Sequence, residues 1–264
     1  MNPEAGDTVK ITTKSEVYQG TLMPRPKLLE DDHIVLKLKN GYNMGISSKK
    51  ITDIKLIKKY SPAKKTSSKK ITSKKNLPTV SILSFGGTIS SKVDYISGGV
   101  SSDYDAEDFI AMEPRLREIA NIKARKVMSE MSENFLPKDW MSMAKETLTE
   151  MKTSDSVIIT QGTDTMHYSS AALSFFLRNI DKPVIFTAAQ RSIDRGSTDA
   201  FMNLFCSVKA AANFDGKGVF VVMHGSSSDD YCYIHKGTKV RKMHSLRRDA
   251  FRSINEFPIA KVYY

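Results

Sequence analysis

The sequence predicts an α/β protein in which helices flank a mainly parallel sheet and a small all-β, barrel-like domain precedes that sheet. Two observations predict the sheet: after residue 78, strand-like runs alternate with helical patterns, and those runs are largely apolar. A third predicts the all-β domain, because short stretches before residue 58 alternate apolar and polar residues. We therefore divide the chain into residues 1–57, a lysine-rich linker at 58–77 and an α/β domain at 78–264.

The first 57 residues contain four predicted strands that turn residues separate. Several short strands at regular spacing are typical of a small β-barrel or meander. No residue pattern in this region suggests catalysis, so we interpret it as a binding or docking module. The predicted strands are residues 8–12, 17–23, 33–38 and 42–46.

The linker carries most of the positive charge of the chain. Residues 58–75 contain eight lysines and no acidic residue, and subtracting them from the net charge of +11 leaves +3. Lysine, serine and threonine with few apolar residues predict a flexible segment. Two interpretations stay open: a solvated tether, or a loose electrostatic contact with a polyanion such as RNA.

The α/β domain is predicted from alternating strands and helices. Pro114 is expected to bend or break the first helix. Residues 257–264 have the pattern of a last strand. The predicted strands are 80–85, 123–131, 156–160, 183–189 and 218–223, and the predicted helices are 105–120, 137–151, 165–179 and 198–213.

Composition excludes several classes of function. The chain is 40% hydrophobic and 26% charged, has no apolar stretch long enough to span a bilayer and begins without a signal-peptide pattern, so we expect a cytoplasmic protein. Cys206 and Cys232 form no disulfide framework, and we expect them in the core or near the surface. His224, His235 and His244 are too irregularly spaced for a zinc motif, so we predict no metal.

Two loops at predicted strand exits carry hydroxyl groups. Ser81-Ile-Leu-Ser-Phe-Gly-Gly-Thr-Ile-Ser places Thr88 after two glycines, and Thr160-Gln-Gly-Thr-Asp places Thr163 and Asp164 after the next buried strand. In a parallel sheet these exits lie at the edge where ligands bind. A threonine nucleophile needs a neighbouring base or cation, and an acid can hold a lysine in that role. The candidate lysines are Lys236, Lys239 and Lys242, and spacing alone does not select one.

These loops resemble the two signature loops of the L-asparaginase/glutaminase family. The matching stretches are Phe85-Gly-Gly-Thr-Ile-Ser and Gln161-Gly-Thr-Asp-Thr-Met, and the resemblance extends across residues 78–264. It implies an asparaginase-type fold and an amidohydrolase activity on glutamine or asparagine.

The resemblance also implies roles for individual residues. Thr88 matches the family's nucleophile, Thr163 and Asp164 match its second threonine and acid, and Val240-Arg-Lys-Met selects Lys242 as the lysine of the relay. For substrate binding, Tyr95 matches the tyrosine of the mobile loop and Ser132 matches the serine that binds the α-carboxylate. Glu133 stands where asparaginases usually carry glutamine, and we interpret it either as a contact for the α-ammonium or as a solvated loop acid.

Three stretches of the N-terminal domain resemble the archaeal amidotransferase D subunits, a subgroup of this family. They are Tyr18-Gln-Gly-Thr-Leu-Met-Pro, Asp31-Asp-His-Ile-Val-Leu-Lys-Leu and Asn40-Gly-Tyr-Asn-Met-Gly-Ile. That subgroup implies a glutaminase component of a ligase: a partner, the amidotransferase E subunit, would bind charged tRNA, ATP and Mg, and would use the ammonia to convert Glu-tRNA(Gln) to Gln-tRNA(Gln). It further implies a homodimer within a heterotetramer, and no cofactor in this chain, which has no Walker-type loop. A stand-alone cytoplasmic asparaginase and a non-catalytic assembly module are the alternatives.

The sequence departs from the family pattern in two places. Phe85 replaces the usual threonine before the glycines, and we expect little effect because that position lies off the catalytic group. The family continues into a second α/β domain, which we expect to be missing here. A fragment, a remainder encoded elsewhere and a loss of activity are the three explanations that stay open.

Overall fold

The chain divides into two compact units, Met1–Ser68 with Lys92–Ser101, and Lys69–Ser91 with Ser102–Tyr264. The predicted domain borders stay predictions, and residues 61–72 of the predicted linker lie outside the described residues. The computed structural model describes residues 3–23, 32–40, 42–60, 73–87, 89, 92–93, 100–101, 106–191, 193 and 196–264.

The N-terminal unit contains a five-stranded antiparallel sheet in the order β4-β3-β2-β1-β5. Its fully buried apolar residues include Val9, Ile11 and Leu36, which face one side because strand side chains alternate. The all-β prediction is confirmed, and one strand was not predicted: β5, which pairs with β1 and has only partly buried apolar positions among its lysines. The strands are β1 Thr8–Thr13, β2 Val17–Leu22, β3 His33–Leu38, β4 Asn43–Ser47 and β5 Ile51–Lys58.

The second unit is built on a seven-stranded sheet in the order β16-β13-β12-β11-β10-β6-β9. Five adjacent strands are parallel to one another: β12, β11, β10, β6 and β9. At one edge, β13 pairs antiparallel with β12, and β16 pairs antiparallel with β13. The mainly parallel sheet is therefore confirmed. Its strands are β6 Thr79–Ser84, β9 Asn121–Lys126, β10 Ser156–Thr160, β11 Pro183–Thr187, β12 Gly218–His224, β13 Tyr231–Lys236 and β16 Ala260–Tyr263.

Helices cover both faces of this sheet. Alternate residues of one strand enter different apolar cores: Ile158 of β10 packs in the core with Leu204 of α5, whereas Val157 and Ile159 pack in the core with Leu173 of α4. This alternation explains why the parallel strands are apolar at successive positions. The helices are α1 Ala106–Met112, α2 Leu116–Ile119, α3 Pro137–Glu150, α4 Met166–Phe176 and α5 Ala200–Asn213.

Local sequence explains where the helices begin and end. Pro114 separates α1 from α2, as predicted, because proline disfavours a helical residue before it. Pro137 opens α3 at a position where a missing N–H costs little, and the Asp139 carboxylate accepts the Leu136 N–H at 2.8 Å.

Several short strands were not predicted, and one prediction was too long. The strand expected at 123–131 is Asn121–Lys126, after which the chain turns toward the carboxyl edge of the sheet. The strand β13 and two short strand pairs were missed because polar residues in them obscure the alternation of apolar and polar positions. The short pairs are β7 Lys92–Val93 with β8 Val100–Ser101, and β14 Val240–Lys242 with β15 Phe251–Ser253.

Adjacent parallel strands bring two loops into backbone contact. β6 pairs with β10 in parallel, so the loops that follow Ser84 and Thr160 leave the sheet side by side. Gly87 has a φ of 85°, and a Cβ atom there would lie 2.3 Å from the Gln161 carbonyl carbon and 2.4 Å from the Gly162 nitrogen. Only glycine fits this close approach.

Several composition-based expectations can be compared with the described residues. Cys206 and Cys232 are buried free thiols, which confirms the core alternative. Within the described ranges, no cluster of three His, Cys, Asp or Glu side chains is placed to hold a metal ion, and the absence of a metal stays a prediction. None of the described helices is long and apolar enough to cross a membrane.

The stability of the second unit should depend on the protonation of His235. Burial, followed by the charge of Arg252, lowers the pKa of His235 from 6.5 to about 4, and its Nδ1 bonds to the Ser253 hydroxyl at 2.8 Å. Because the unfolded chain takes up this proton more readily, the free energy of unfolding should fall by about 3 kcal/mol between pH 6.5 and pH 4. Denaturant titrations at several pH values in this range should show that the free energy of unfolding changes less with pH in His235→Gln than in wild type. The exposed His33→Gln variant is the control. An equal pH dependence of the free energy of unfolding in wild type and His235→Gln would contradict the account.

Substitution of Gly87 should damage the loop junction. Gly87→Ala introduces both a strained positive φ and a backbone collision, and we expect the free energy of unfolding to fall by about 2–4 kcal/mol. Gly196→Ala is the matched control, because a Cβ atom on Gly196 meets nothing within 4 Å. Thermal unfolding measures both variants, and an equal effect of the two substitutions would refute the close-approach explanation.

Candidate active site

Five of the seven predicted site residues lie in the described part of the chain. Thr163 and Asp164 follow β10, Lys242 ends β14, and Ser132 and Glu133 lie in a short 3-10 helix, Ser132–Asn134. Thr88 and Tyr95 lie outside the described residues.

Lys242 connects the loop after β10 to the β14-β15 hairpin. Its Nζ donates to Thr163 Oγ1 at 2.8 Å and to Asp164 Oδ1 at 2.7 Å. The Lys242 side chain is only 7% exposed and Thr163 is 8% exposed, whereas the Asp164 side chain is 66% exposed. A buried lysine between a hydroxyl and a carboxylate has the geometry of a proton relay.

In this geometry Asp164 is not a helix cap and the Lys242 side chain is not exposed. If Asp164 only capped α4, its carboxylate would bond to the first N–H groups of that helix. The N-cap residue of α4 is instead Thr165, whose hydroxyl donates to the Ser132 carbonyl at 2.6 Å and not to the helix end. The Asp164 carboxylate accepts from Lys242, which is not a surface residue.

The other two candidate lysines lie elsewhere. The Lys236 ammonium pairs with the Glu256 carboxylate, and Lys239 is exposed in the turn before β14. The structure therefore brings only Lys242, of these three, to Thr163.

Ser132 lies directly beside the loop after β10. It is 2% exposed, and a Cβ atom on Gly162 would lie 2.9 Å from the Ser132 Oγ. Glu133, the next residue, is exposed. The preceding Glu130 carbonyl oxygen would lie 2.3 Å from a Cβ atom on Gly86, so three segments meet at this edge.

The turn after Lys242 is held by an ionic cluster. Asp249 is 5% exposed and accepts two hydrogen bonds from the Arg247 guanidinium, both 2.9 Å, and one from Arg252 at 2.5 Å. The Arg247 bonds hold the pKa of the Asp249 carboxyl below its usual value. This cluster fixes the hairpin that presents Lys242.

A neighbouring histidine belongs to the same electrostatic environment. Burial lowers the pKa of His167, and the positive charges of Arg241 and Lys242 lower it further. Burial and the two positive charges therefore all favour the neutral form of His167.

Sequence reasoning missed Gln190. Its Oε1 accepts from Thr163 Oγ1 at 3.2 Å, and its Nε2 donates to the Arg247 carbonyl at 2.9 Å. No local pattern of the sequence indicates this role, which depends on β11 lying parallel to β10, so that residues following Thr187 leave the sheet at the same edge. A glutamine three residues after such a strand is a polar group placed at the site.

Two protein families match this chain. Residues 79–264 match the family described as Asparaginase, N-terminal, and residues 3–57 match the GatD N-terminal domain. Together these matches cover most of the chain on both sides of the lysine-rich segment.

Curated relatives share both parts. Proteins named as the D subunit of glutamyl-tRNA(Gln) amidotransferase are 47% identical in Pyrococcus furiosus, 44% in Archaeoglobus fulgidus and 45% in a Methanococcus maripaludis strain. Each alignment covers 98% of this chain. The chain spans about 60% of the length of these relatives.

Solved structures agree with the fold. The thermostable L-asparaginase of Thermococcus kodakarensis matches with a TM-score of 0.61 and 33% identity over 70% of this chain and 53% of that one. A probable cytoplasmic L-asparaginase of Campylobacter jejuni matches with a TM-score of 0.56 and 30% identity over 67% and 51%. The family match over residues 79–264 and these structural likenesses lead to one conclusion: the chain belongs to the asparaginase family, and a region matching the GatD N-terminal domain precedes its asparaginase domain.

Proposed function

We propose that this chain is the glutaminase component of a tRNA-dependent amidotransferase. It hydrolyses glutamine, or asparagine, and the released ammonia converts Glu-tRNA(Gln) to Gln-tRNA(Gln). The observation that carries the proposed chemistry is the contact of the buried Lys242 with Thr163 and Asp164. The match of residues 3–57 to the GatD N-terminal domain supports the amidotransferase context.

The proposed reaction is a two-step amide hydrolysis. The Thr88 hydroxyl attacks the side-chain carboxamide carbon. The C–N bond then breaks, and the leaving nitrogen takes up a proton and departs as ammonia. Water then cleaves the resulting ester, which releases glutamate and restores the threonine. Main-chain N–H groups near Thr163 stabilise the negative charge on the carbonyl oxygen.

Thr163, Lys242 and Asp164 would form the proton relay for these steps. Lys242 accepts a proton through the Thr163 hydroxyl when the lysine is neutral, and Asp164 holds the lysine in place. Its position supports this role, because its Nζ contacts both Thr163 Oγ1 and Asp164 Oδ1.

Three residues are proposed to hold the amino-acid end of the substrate. Ser132 would bind the α-carboxylate and Glu133 the α-ammonium, while Tyr95 would contribute from the loop after Thr88. The position of Ser132 against Gly162 supports this assignment, because it places the serine next to the relay.

A partner protein, the amidotransferase E subunit, is proposed to carry the remaining chemistry. It would bind the charged tRNA and use ATP with Mg to activate the glutamyl group, so neither ligand is assigned to this chain. We propose a homodimer of this chain within a heterotetramer. A cytoplasmic location follows from the charged tRNA substrate.

A stand-alone asparaginase is the second candidate, and the structural likeness to two asparaginases favours it. The two proposals differ in their dependence on a partner. Ammonia release should be measured with glutamine and with asparagine, alone and with the E subunit, ATP, Mg and Glu-tRNA(Gln). The amidotransferase proposal expects ammonia release to respond to the complete mixture and Gln-tRNA(Gln) to form.

Other outcomes of this experiment have defined meanings. Ammonia release that the partner and charged tRNA leave unchanged would favour a stand-alone asparaginase. Partner binding without any amide hydrolysis would favour a non-catalytic assembly module and would overturn the proposed chemistry.

Substitution of Lys242 should distinguish the three candidate lysines. Lys242→Met removes the proton acceptor and should lower kcat for ammonia release by about a hundredfold or more. Lys236→Met and Lys239→Met are matched controls at exposed positions and should stay within about twofold of wild type.

Thr88→Val should abolish ammonia release, because it removes the proposed nucleophile. A rate near that of wild type would overturn the nucleophile assignment.

Substitution of Glu133 should separate substrate binding from chemistry. Loss of a charge-assisted contact to the α-ammonium in Glu133→Ala should raise KM for glutamine by about tenfold, with kcat nearly unchanged. The control is Glu118→Ala, which changes an exposed glutamate on α2. An unchanged KM in Glu133→Ala would identify Glu133 as a solvated loop acid.

A further inference from the structure

Gln190 follows β11 at the carboxyl edge of the sheet, and its amide has one defined orientation. Nε2 lies 2.9 Å from the Arg247 carbonyl oxygen, and Oε1 lies 3.2 Å from Thr163 Oγ1. A carbonyl oxygen only accepts hydrogen bonds, so the nitrogen must face Arg247 and the oxygen must face Thr163.

This orientation determines the direction of the Thr163 proton. The hydroxyl has one proton, and the Gln190 oxygen can only accept it. The Lys242 Nζ donates to the same hydroxyl oxygen at 2.8 Å. Thr163 is therefore presented to Lys242 as an acceptor, and its own proton points away from the lysine.

A buried aspartate fixes the backbone of Gln190. Asp199 is fully buried, and its carboxylate accepts the Gln190 N–H and the Arg191 N–H, both at 2.9 Å. The Asn203 amide adds a third bond to this carboxylate at 3.0 Å. The main chain at Gln190 is thus held to the beginning of α5.

A chain of hydrogen bonds connects Asn203 back to the other end of the Gln190 side chain. Asn203 Oδ1 lies 2.6 Å from Nδ1 of the fully buried His224, whose Nε2 lies 3.0 Å from Asp229 Oδ1. Arg248 donates to Asp229 at 2.8 Å and follows Arg247 directly in the chain. Backbone and side chain of Gln190 are therefore anchored to one closed network.

We propose that Gln190 is a positioning residue for the relay: it holds the Thr163 hydroxyl as a hydrogen-bond acceptor for Lys242 and so sets the pH at which the relay operates. This inference rests on the proposed amide hydrolysis. Thr163 can pass its proton to Lys242 only after the hydroxyl leaves Gln190. Within the described part of the chain, Lys242 bonds to Asp164 and its charge acts on His167, as does the charge of the neighbouring Arg241, and the variants below leave all three in place.

The proposal predicts that two substitutions of Gln190 shift the pH dependence of ammonia release in opposite directions. Gln190→Met keeps the length of the side chain but removes the acceptor, so Thr163 can donate to a neutral Lys242 and the low-pH midpoint of kcat should move to lower pH. Gln190→Glu keeps an acceptor and adds a negative charge, so the same midpoint should move to higher pH. In Gln190→Met, kcat should also fall about tenfold while KM stays within about twofold, as expected for a lost positioning hydrogen bond.

The control is Gln19→Met, which changes an exposed glutamine on β2 and should match the wild-type profile. Wild-type kcat and unshifted midpoints in both Gln190 variants would overturn the proposal. Equal losses of kcat and melting temperature without any shift of the midpoint would also overturn it, because they would indicate a loop that is only structural.

A neutron crystal structure of the wild-type chain separates this proposal from the proposed function. If the wild-type chain releases no ammonia, the amidohydrolase assignment fails by itself. The positioning role still predicts that the Thr163 hydroxyl proton lies between its Oγ1 and the Gln190 Oε1. A Thr163 proton directed at the Lys242 Nζ would refute the positioning role.

Discussion

The parallel pairing of β6 with β10 is the constraint on which the site depends. It makes two loops leave the sheet side by side, and Gly87 lets their backbones approach within a distance that no side chain would permit. The second loop then presents Thr163 and Asp164 at an edge where polar groups from several segments converge. Neither loop alone holds all the groups of the proposed relay, because Lys242 comes from a hairpin almost eighty residues further along the chain.

The hairpin is positioned by interactions that have no direct part in the chemistry. Asp249 holds the turn through Arg247 and Arg252, and the Arg247 carbonyl receives the Gln190 amide. The same turn therefore orients two side chains that bond to Thr163, those of Gln190 and Lys242. A buried polar network of this kind is costly unless every member is paired, and the pairing here extends from Asp199 to Asp229.

Much of this fold could be predicted from the sequence because its strongest elements are local. The strands at 80–85 and 156–160 are largely apolar runs, and the break at Pro114 follows from the proline ring. Among the strands that were missed, β13 pairs with β12 and β14 pairs with β15, and their polar and charged residues mask any apolar pattern. The loop residues Thr163 and Asp164 could be selected from their position at a strand exit, whereas the choice of Lys242 over Lys239 required the family resemblance. Gln190 was missed because its role depends on a neighbour relationship between β10 and β11 that no local pattern reveals.

The most direct test of the central claim is to identify the covalent intermediate. The protein should be acid-quenched during glutamine turnover, digested and analysed by mass spectrometry for a γ-glutamyl ester. The account predicts this ester on the peptide that contains Thr88, with its amount increased when breakdown of the ester is slowed. An ester on the Thr163 peptide would reverse the roles of the two threonines, and steady turnover with no ester on either peptide would contradict the two-step mechanism.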